Sequence, residues 1–377
     1  MEICDSYRNL VEDAQTLDDL PDSVQAWRRG LLKVHTEDEE FRRNTDGALR
    51  ARERILGNVA SPSHIGNFVL RHTHHKRLNG ESLPYQEGPE AYEIGLTDSD
   101  EWAEAIRLAM QHPSTAAEFM IRDVTSNLPS RYSSIKAILS TDAYERRFGH
   151  NPSFVDLGCS RNLGAKKIAT HHNFSPVVSE DAARADAFNA HTAKHLDVRL
   201  ATGVDKWVQR DDSDHSWCYA CTFPFYDQDP ARMEEFDQLS GLEPENVDFH
   251  QANAAMGWQK FVEHTGIDDS HPKYDVVCAV TMMYQQSDAQ ISQLLELMKN
   301  LSHSNSLIVV QDFGQMDEDG NFRQITDNWY DRSDRPYRTS VLDRKHAEAG
   351  FVEWFRWSNG RCKDVEVTDH AASQMGV

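Results

Sequence analysis

The sequence predicts an α/β protein in which an all-helical N-terminal domain precedes a mostly parallel sheet. Up to about His150, apolar residues recur every three to four positions, as on one face of a helix, and prolines divide the segment into helix-length pieces. From Ser153 onward, short apolar runs alternate with helix-length segments, which is typical of parallel strands covered on both faces. Two further strand-like runs flank a predicted turn at residues 358–360.

Five strand-like runs define the predicted sheet. In order they are FVDLGC, VRLATGVD, VDFHQA, YDVVCAVTMM and SLIVVQDF. The next segment, VLDRKHAEAG, is predicted to be helical, and GFVEWFRW and CKDVEVT are predicted to pair as a C-terminal antiparallel hairpin. We therefore divide the chain into a helical cap, residues 1–150, and an α/β domain, residues 151–377.

Composition limits the partners of this chain. Its 61 acidic and 39 basic residues give a net charge of −22, which argues against a nucleic acid or an anionic membrane as partner. No apolar stretch approaches the roughly 18 residues of a membrane span, and the N-terminus is acidic, unlike a signal peptide. Six irregularly spaced cysteines indicate reduced thiols. We expect a cytoplasmic protein that acts on a small molecule.

The first run and the turn after it carry the strongest ligand-binding pattern. Asp156 lies two residues before Gly158, and Ser160 and Asn162 follow before the helix GAKKIATHH. Such a turn lets the backbone approach a ligand and presents helix N-terminal N–H groups to it. It resembles motif I of the class I S-adenosylmethionine-dependent methyltransferases, an acid followed by Gly-x-Gly-x-Gly, with Ser160 and Asn162 in place of two glycines. The alternative is an ordinary turn without a ligand.

That resemblance implies a Rossmann-like methyltransferase fold with S-adenosylmethionine as cofactor, and later residues occupy matching places. Asp205 ends the second run, where nucleotide-binding folds of this type place an acid on the ribose hydroxyls. Asn253 follows the third run, and its side-chain carbonyl is expected to accept a hydrogen bond from the adenine amino group, unless it is only a turn residue. Tyr284 and Gln285 lie beyond the fourth run, where open α/β sheets bind ligands; the alternative is that they only pack.

Two other tracts resemble a bacterial and archaeal family known only as a domain of unknown function. FPFYDQDPAR is similar to its Trp-Pro-Asp-Gln-x-x-x-Arg element and places Asp227, and TSNLPSR is similar to its Gln-Thr-Asn-x-x-x-Arg element and places Asn127 and Arg131. This resemblance implies an architecture without an assigned reaction. Asp227, Tyr284 and Arg131 are our candidate catalytic residues, with the arginine suited to an anionic acceptor.

The predicted function is methyl transfer from S-adenosylmethionine to a small molecule. The cap is expected to close over the strand ends, with Asn127 and Arg131 facing the ligand; the alternative is that Arg131 pairs with a surface carboxylate. A non-catalytic protein that keeps the fold is the second hypothesis, favoured by the loss of two motif I glycines. A hydrolase is less favoured, because the sequence has no Gly-x-Ser-x-Gly nucleophile elbow.

Two patterns suggest metal ligands, but we predict no metal site. His72, His74 and His75 lack a nearby carboxylate or cysteine, so we interpret them as a solvated helix end. Cys218 and Cys221 form a single Cys-x-x-Cys without a second pair, and we expect them to pack inward from a helix.

The charge pattern yields a first testable prediction. The net charge of −22, with 27 arginines against 12 lysines, is typical of proteins that work in concentrated salt. Salt shortens the screening length from about 10 Å at 0.1 M to about 3 Å at 1 M and weakens carboxylate repulsion. The melting temperature should therefore rise on going to molar KCl, measured against a sucrose series that stabilises without screening. A flat or falling salt curve contradicts the halophile hypothesis.

Overall fold

The computed structural model describes residues 22–45, 47, 68–73, 75–76, 98–111, 128–149, 151–206, 217–218, 221, 230–317, 319–324, 337–358 and 362–377. The chain divides into two compact units, the first formed by Met1–Ser126 with Arg210–Asp237 and the second by Asn127–Gln209 with Gln238–Val377. The sequence placed its domain boundary near His150, whereas the unit that contains the sheet already begins at Asn127. Arg131 therefore belongs to the same unit as the sheet.

The helices with both bounds among the described residues are α1 (Asp22–Glu37), α2 (Ser99–Gln111), α3 (Ser133–Leu139), α4 (Asp142–Phe148), α5 (Leu163–Ala169), α6 (Ala182–Ala193), α7 (Pro230–Ser240), α8 (Trp258–Thr265), α9 (Asp288–Leu301) and α10 (Asp369–Met375). Further helical residues lie at 39–45, 47, 68–73, 75–76, 217–218 and 221. Short 3-10 helices cover Pro129–Tyr132, Ala254–Met256, Met283–Gln285 and Arg344–Ala349. Among these helices, none combines the length and the apolar character that crossing a membrane requires.

Regular structure among the described residues of the first unit is helical. A Cβ on Gly30 of α1 would lie 2.7 Å from Trp102 Cβ of α2, so the glycine permits the close approach of the two helices. The predicted solvated helix end is wrong, because His72 and His75 are both buried. The His72 ring stacks on a phenylalanine and the His75 ring meets Trp217 edge-on, so both pack as aromatic core residues. Cys218 and Cys221 are buried, as predicted.

The second unit is built on a mixed sheet. Its strands are β1 (Ser153–Leu157), β2 (Leu200–Asp205), β3 (Val247–Gln251), β4 (Tyr274–Val280), β5 (Ser302–Met316), β6 (Phe322–Gln324), β7 (Tyr337–Asp343), β8 (Val352–Trp357) and β9 (Val365–Val367). The spatial order is β3-β2-β1-β4-β5-β7-β8-β9, with β6 paired to β5. Strands β1 to β5 are mutually parallel, and the later strands pair antiparallel. Each of the five predicted runs overlaps one parallel strand.

This α/β architecture is consistent with a Rossmann-like fold. Apolar residues of the parallel strands alternate between the two faces, with Phe154 and Val276 in one core and Val155 and Val277 in the other. The strand order reverses between β1 and β4, because the chain moves outward to β2 and β3 and then returns to the other side of β1. Ligands of open α/β sheets bind at such a reversal, beyond the carboxyl ends of the strands.

The C-terminal prediction needs one correction. The segment VLDRKHAEAG is not one helix, since its first three residues end strand β7 and only Arg344–Ala349 is a 3-10 helix. The β7 residues that precede this segment are polar, but they face neighbouring strands. Thr339, for example, is fully buried beside Gln311. Strands β8 and β9 do pair antiparallel, as predicted, but β7 separates them from β5. The antiparallel addition is therefore a three-strand meander rather than a single hairpin.

Close packing at the start of α5 gives a second prediction. A Cβ on Gly164 would lie 2.2 Å from the Tyr132 ring, so Gly164→Ala should lower the free energy of unfolding by about 1–3 kcal/mol. At a helical position with open space around it, replacing glycine by alanine instead raises the free energy of unfolding by up to about 1 kcal/mol. The matched control is Gly47→Ala, because Gly47 is helical and exposed with open space around it. Denaturant unfolding of both variants measures the difference, and equal stabilities would contradict the contact.

Candidate functional site

Left-handed backbone marks the carboxyl ends of β1 and β4. After β1, the φ angles of Gly158, Ser160 and Asn162 are 81°, 52° and 58°, and after β4 that of Thr281 is 58°. This conformation costs a non-glycine residue roughly 1–2 kcal/mol, and it is exceptional for a β-branched residue. Strain of this kind persists where the surrounding structure enforces it, and it clusters at ligand sites. The edge between β1 and β4 is therefore the candidate site.

The turn after β1 keeps a glycine-like path although two motif positions are not glycine. Hydrogen bonds to the end of β2 hold this path. The N–H groups of Gly158 and Cys159 donate to Val204 O over 2.8 and 3.2 Å. The Ser160 N–H donates to Asp205 Oδ2 over 2.8 Å. Three predicted cofactor residues, Gly158, Ser160 and Asp205, thus meet at one edge of the sheet, with a carboxylate beside the turn.

Asp156, the predicted motif I acid, is fully buried under this turn. The Tyr132 hydroxyl donates to its Oδ2, and the Cys278 thiol lies 3.6 Å from its Oδ1. Burial raises the pKa of Asp156 to about 7, although both of these hydrogen bonds lower it. The side chain therefore links the segment before the sheet to the two central strands, and both of its oxygens have protein partners.

The predicted cofactor residues Asn162 and Asn253 use their side chains within the protein. The Asn162 carboxamide is buried against β2, where a Cβ on Gly203 would lie 2.4 Å from Asn162 Cγ. Its Nδ2 donates to Asp248 O over 3.2 Å, while Oδ1 has no hydrogen-bond partner. Asn253 Oδ1 accepts the Ala255 N–H over 3.0 Å and caps a 3-10 helix, which matches the turn-residue alternative.

Arg131 points to the carboxyl end of β4. Its side chain is buried, with the residue only 6% exposed, and Nη1 donates to Thr281 Oγ1 over 2.9 Å. The guanidinium carbon lies 5.3 Å from the centre of the Tyr337 ring, and the Tyr337 hydroxyl shares a 2.6 Å hydrogen bond with Thr281 Oγ1. Gln311 Nε2 donates to the Arg131 carbonyl over 2.8 Å and fixes its backbone on β5. Arg131 is thus held beside the left-handed Thr281.

Tyr284 lies at the same end of the sheet, held through Asp312. The buried Asp312 carboxylate accepts the backbone N–H groups of Met283 and Tyr284 over 2.6 and 3.4 Å, and that of Phe313 over 2.7 Å. Burial raises the pKa of Asp312 to about 6, although these bonds and the charge of Arg131 lower it. The Tyr284 ring meets Phe313 edge-on at 5.4 Å. Arg131 and Tyr284 therefore both belong to the β4–β5 end.

Other predicted residues cannot be placed. Asp227, the third candidate catalytic residue, and Asn127 lie outside the described residues. The sequence analysis placed Thr281 at the carboxyl end of the fourth strand without giving it a role, and it missed four other residues that build the site, namely Tyr132, Gln311, Asp312 and Tyr337. A usable signal existed for two of them, because Gln311 and Asp312 interrupt an apolar strand, and polar residues in a buried strand need specific partners.

No protein-family model matches the chain, and no match was found among curated proteins. The resemblances described above therefore depend on the quoted residues alone. The side chains at the site favour particular chemical groups in a ligand. The Asp205 carboxylate suits a hydroxylated ligand, and the Arg131 guanidinium with the Thr281 and Tyr337 hydroxyls suits an anionic group.

The buried Asp156 yields a pH-dependence prediction. Its folded-state pKa of about 7 lies above its usual value of 3.8, so the folded state holds the proton more tightly than the unfolded state. The stability that this proton provides is complete below the usual pKa and is lost as pH rises through about 7. Asp156→Asn removes the titration, so the variant's melting temperature should fall less than the parent's between about pH 4 and pH 7.

Asp268→Asn is the control for this experiment. Asp268 is exposed, and hydrogen bonds from Ser270 and His271 lower its pKa to about 2. The stability that the ionised Asp268 contributes is therefore complete above its usual pKa and is lost only as pH falls toward 2. The control should follow the parent across the neutral range. Parallel curves for Asp156→Asn and the parent would show that Asp156 does not titrate there.

Proposed function

We propose that the second unit binds S-adenosylmethionine at the carboxyl ends of β1, β2 and β4 and transfers its methyl group to a small molecule. One observation carries the proposal. The turn after β1 is left-handed at Gly158, Ser160 and Asn162, the three positions that motif I gives to glycine, and it is hydrogen-bonded to the acid that ends β2. The backbone at Ser160 and Asn162 thus keeps the left-handed conformation that glycine favours, although these two residues are not glycine.

The residues present fit this cofactor in their donors and acceptors. A carboxylate has about four acceptor positions, so Asp205 can bind ribose hydroxyls while it holds the Ser160 N–H. Asn162 Oδ1 is a buried acceptor without a partner at the same turn. The β1 and β4 turns approach closely, since a Cβ on Gly158 would lie 2.8 Å from Met282 Sδ. A side chain at Gly158 would therefore disturb both walls of the site.

The chain's contribution to such a reaction is mainly orientation. The sulfonium cofactor supplies an activated methyl group, so the protein has to bind and align two molecules. Asp205 and the turn would hold the nucleoside. Arg131 would hold an anionic group at the end of β4, where its guanidinium is already fixed by Thr281 and Tyr337. Tyr284, beside Phe313, would face the acceptor.

A non-catalytic binding protein is the second candidate. The observation that favours it is the internal use of polar groups at the site: Tyr132 and Cys278 contact both Asp156 oxygens, and Asn253 caps a helix instead of presenting its carbonyl. The two candidates differ in one measurable respect. An enzyme converts S-adenosylmethionine to S-adenosylhomocysteine when its acceptor is present, whereas a binding protein holds either compound without turnover.

Calorimetric titration with S-adenosylmethionine and S-adenosylhomocysteine, in both low salt and molar KCl, tests the proposal. Asp205→Ala should weaken binding by about 1–3 kcal/mol, because a ligand hydroxyl loses a partly buried partner. Asp205→Asn keeps an acceptor for the Ser160 N–H and separates loss of the charge from loss of the turn. The control is Asp248→Ala, which removes an exposed acid on the neighbouring strand β3.

Two results would count against the proposal. If the parent shows no affinity at millimolar ligand in either salt, the cofactor assignment fails. If the parent binds but Asp205→Ala binds equally well, Asp205 is not part of the site and the assignment of the turn has to be revised.

A further inference from the structure

A second cluster of chemically active side chains lies at the opposite edge of the sheet. His171 follows the C-terminus of α5, which begins at the carboxyl end of β1 and runs back along the sheet. His195 and Asp197 lie in the connection between α6 and β2, before the first residue of that strand. The cluster therefore belongs to the amino-terminal edge, and its argument does not depend on the proposed function.

Two of the ligand-atom spacings in this cluster are close to those of a metal site. His195 Nε2 lies 3.0 Å and His171 Nε2 lies 3.6 Å from the same Asp197 oxygen, Oδ1. The ligand atoms of all three residues lie within 4.8 Å of one another. Metal–ligand bonds of about 2.0–2.1 Å in a tetrahedron put neighbouring ligand atoms about 3.3 Å apart. The two observed distances bracket that value.

Local backbone geometry brings the two imidazoles together. His171 has a left-handed φ of 58°, which turns the chain after α5 and costs roughly 1–2 kcal/mol. Its ring lies 4.0 Å from the His195 ring, centre to centre, with a tilt of 30°. Two protonated imidazoles at this distance would repel, and burial together with His195 lowers the pKa of His171. Neutral imidazole is the form that binds metals.

We propose that His171, His195 and Asp197 bind a divalent transition-metal ion of the Zn²⁺ type through two imidazole nitrogens and one carboxylate oxygen. Imidazole nitrogens select this class of ion over Mg²⁺ and Ca²⁺, which prefer all-oxygen sites. The three side chains are 37%, 66% and 63% exposed, so solvent can complete the coordination. The bound ion would tie the end of α5 to the connection that leads into β2.

The charges around the cluster are mixed. The positive charge of Lys136 on α3 would repel a bound cation. Burial lowers the pKa of Lys136 to about 8, whereas the charges of Asp197 and Glu145 raise it. His172 is engaged elsewhere, because its Nδ1 lies 2.8 Å from Thr170 Oγ1. A cation at the cluster is therefore opposed by Lys136 and favoured by Asp197 and Glu145.

The test uses the full chain, stripped of metal with EDTA and titrated with Zn²⁺ in competition with a chromophoric chelator. We expect one equivalent to bind with micromolar or tighter affinity. His171→Ala, His195→Ala and Asp197→Asn should each weaken it at least about 100-fold, since losing even an outer partner of a ligand costs 10- to 100-fold. Co²⁺ in place of Zn²⁺ should give a visible absorption band that the same variants abolish.

The matched control is His271→Ala. This variant removes another exposed imidazole that contacts an aspartate, with His271 Nδ1 3.0 Å from Asp268 Oδ1, outside the proposed site. It should bind Zn²⁺ like the parent. Because all three proposed ligands are exposed, their variants should keep the parent's circular dichroism spectrum. Parent affinity weaker than micromolar, or equal binding by the parent and all three site variants, would overturn the proposal.

Discussion

The burial of one carboxyl group, that of Asp156, determines how the second unit is arranged. A buried carboxyl group without partners is strongly unfavourable, and this one is satisfied by Tyr132 from the segment before β1 and by Cys278 from β4. The bond from Tyr132 to Asp156 holds residues 129–132 against the sheet. It also explains why position 164 is a glycine, because the Tyr132 ring lies where a Cβ would be. Because Arg131 precedes Tyr132, the same bond brings the guanidinium to the end of β4.

Elements whose environment is uniform along their length could be predicted from the sequence. Strands β1, β2 and β4 and the middle of β5 are apolar and mostly buried, so each appears as a run of apolar residues between breakers, whereas β3 at the end of the sheet is only partly buried. The turn after β1 was also identifiable, because Asp156 and Gly158 have the spacing of the acid and the first glycine in motif I. Asp205 could be placed beside it, since the carboxyl ends of neighbouring parallel strands meet at one edge.

Features that depend on contacts between distant residues could not be predicted. Strand β7 was not predicted, and its last three residues were assigned to a helix, because its buried polar residues are satisfied only by neighbouring strands. Likewise, nothing local shows that Asn162 packs its carboxamide on Gly203, or that Asn253 turns its carbonyl inward. His171 and His195 are 24 positions apart, and their proximity depends on where α5 ends and β2 begins.

Gln311 joins parts of the chain that are synthesised at very different times. Its side chain bonds to the Arg131 carbonyl, to the Ser134 hydroxyl and to Thr339, and the first two of these partners precede it by 180 and 177 residues. At about 5–20 residues per second, the ribosome needs roughly 10–40 s to cover that interval. The segment carrying Arg131 cannot form its bonds to Gln311 before β5 has been synthesised, so nascent chains truncated before β5 lack this part of the support of the arginine.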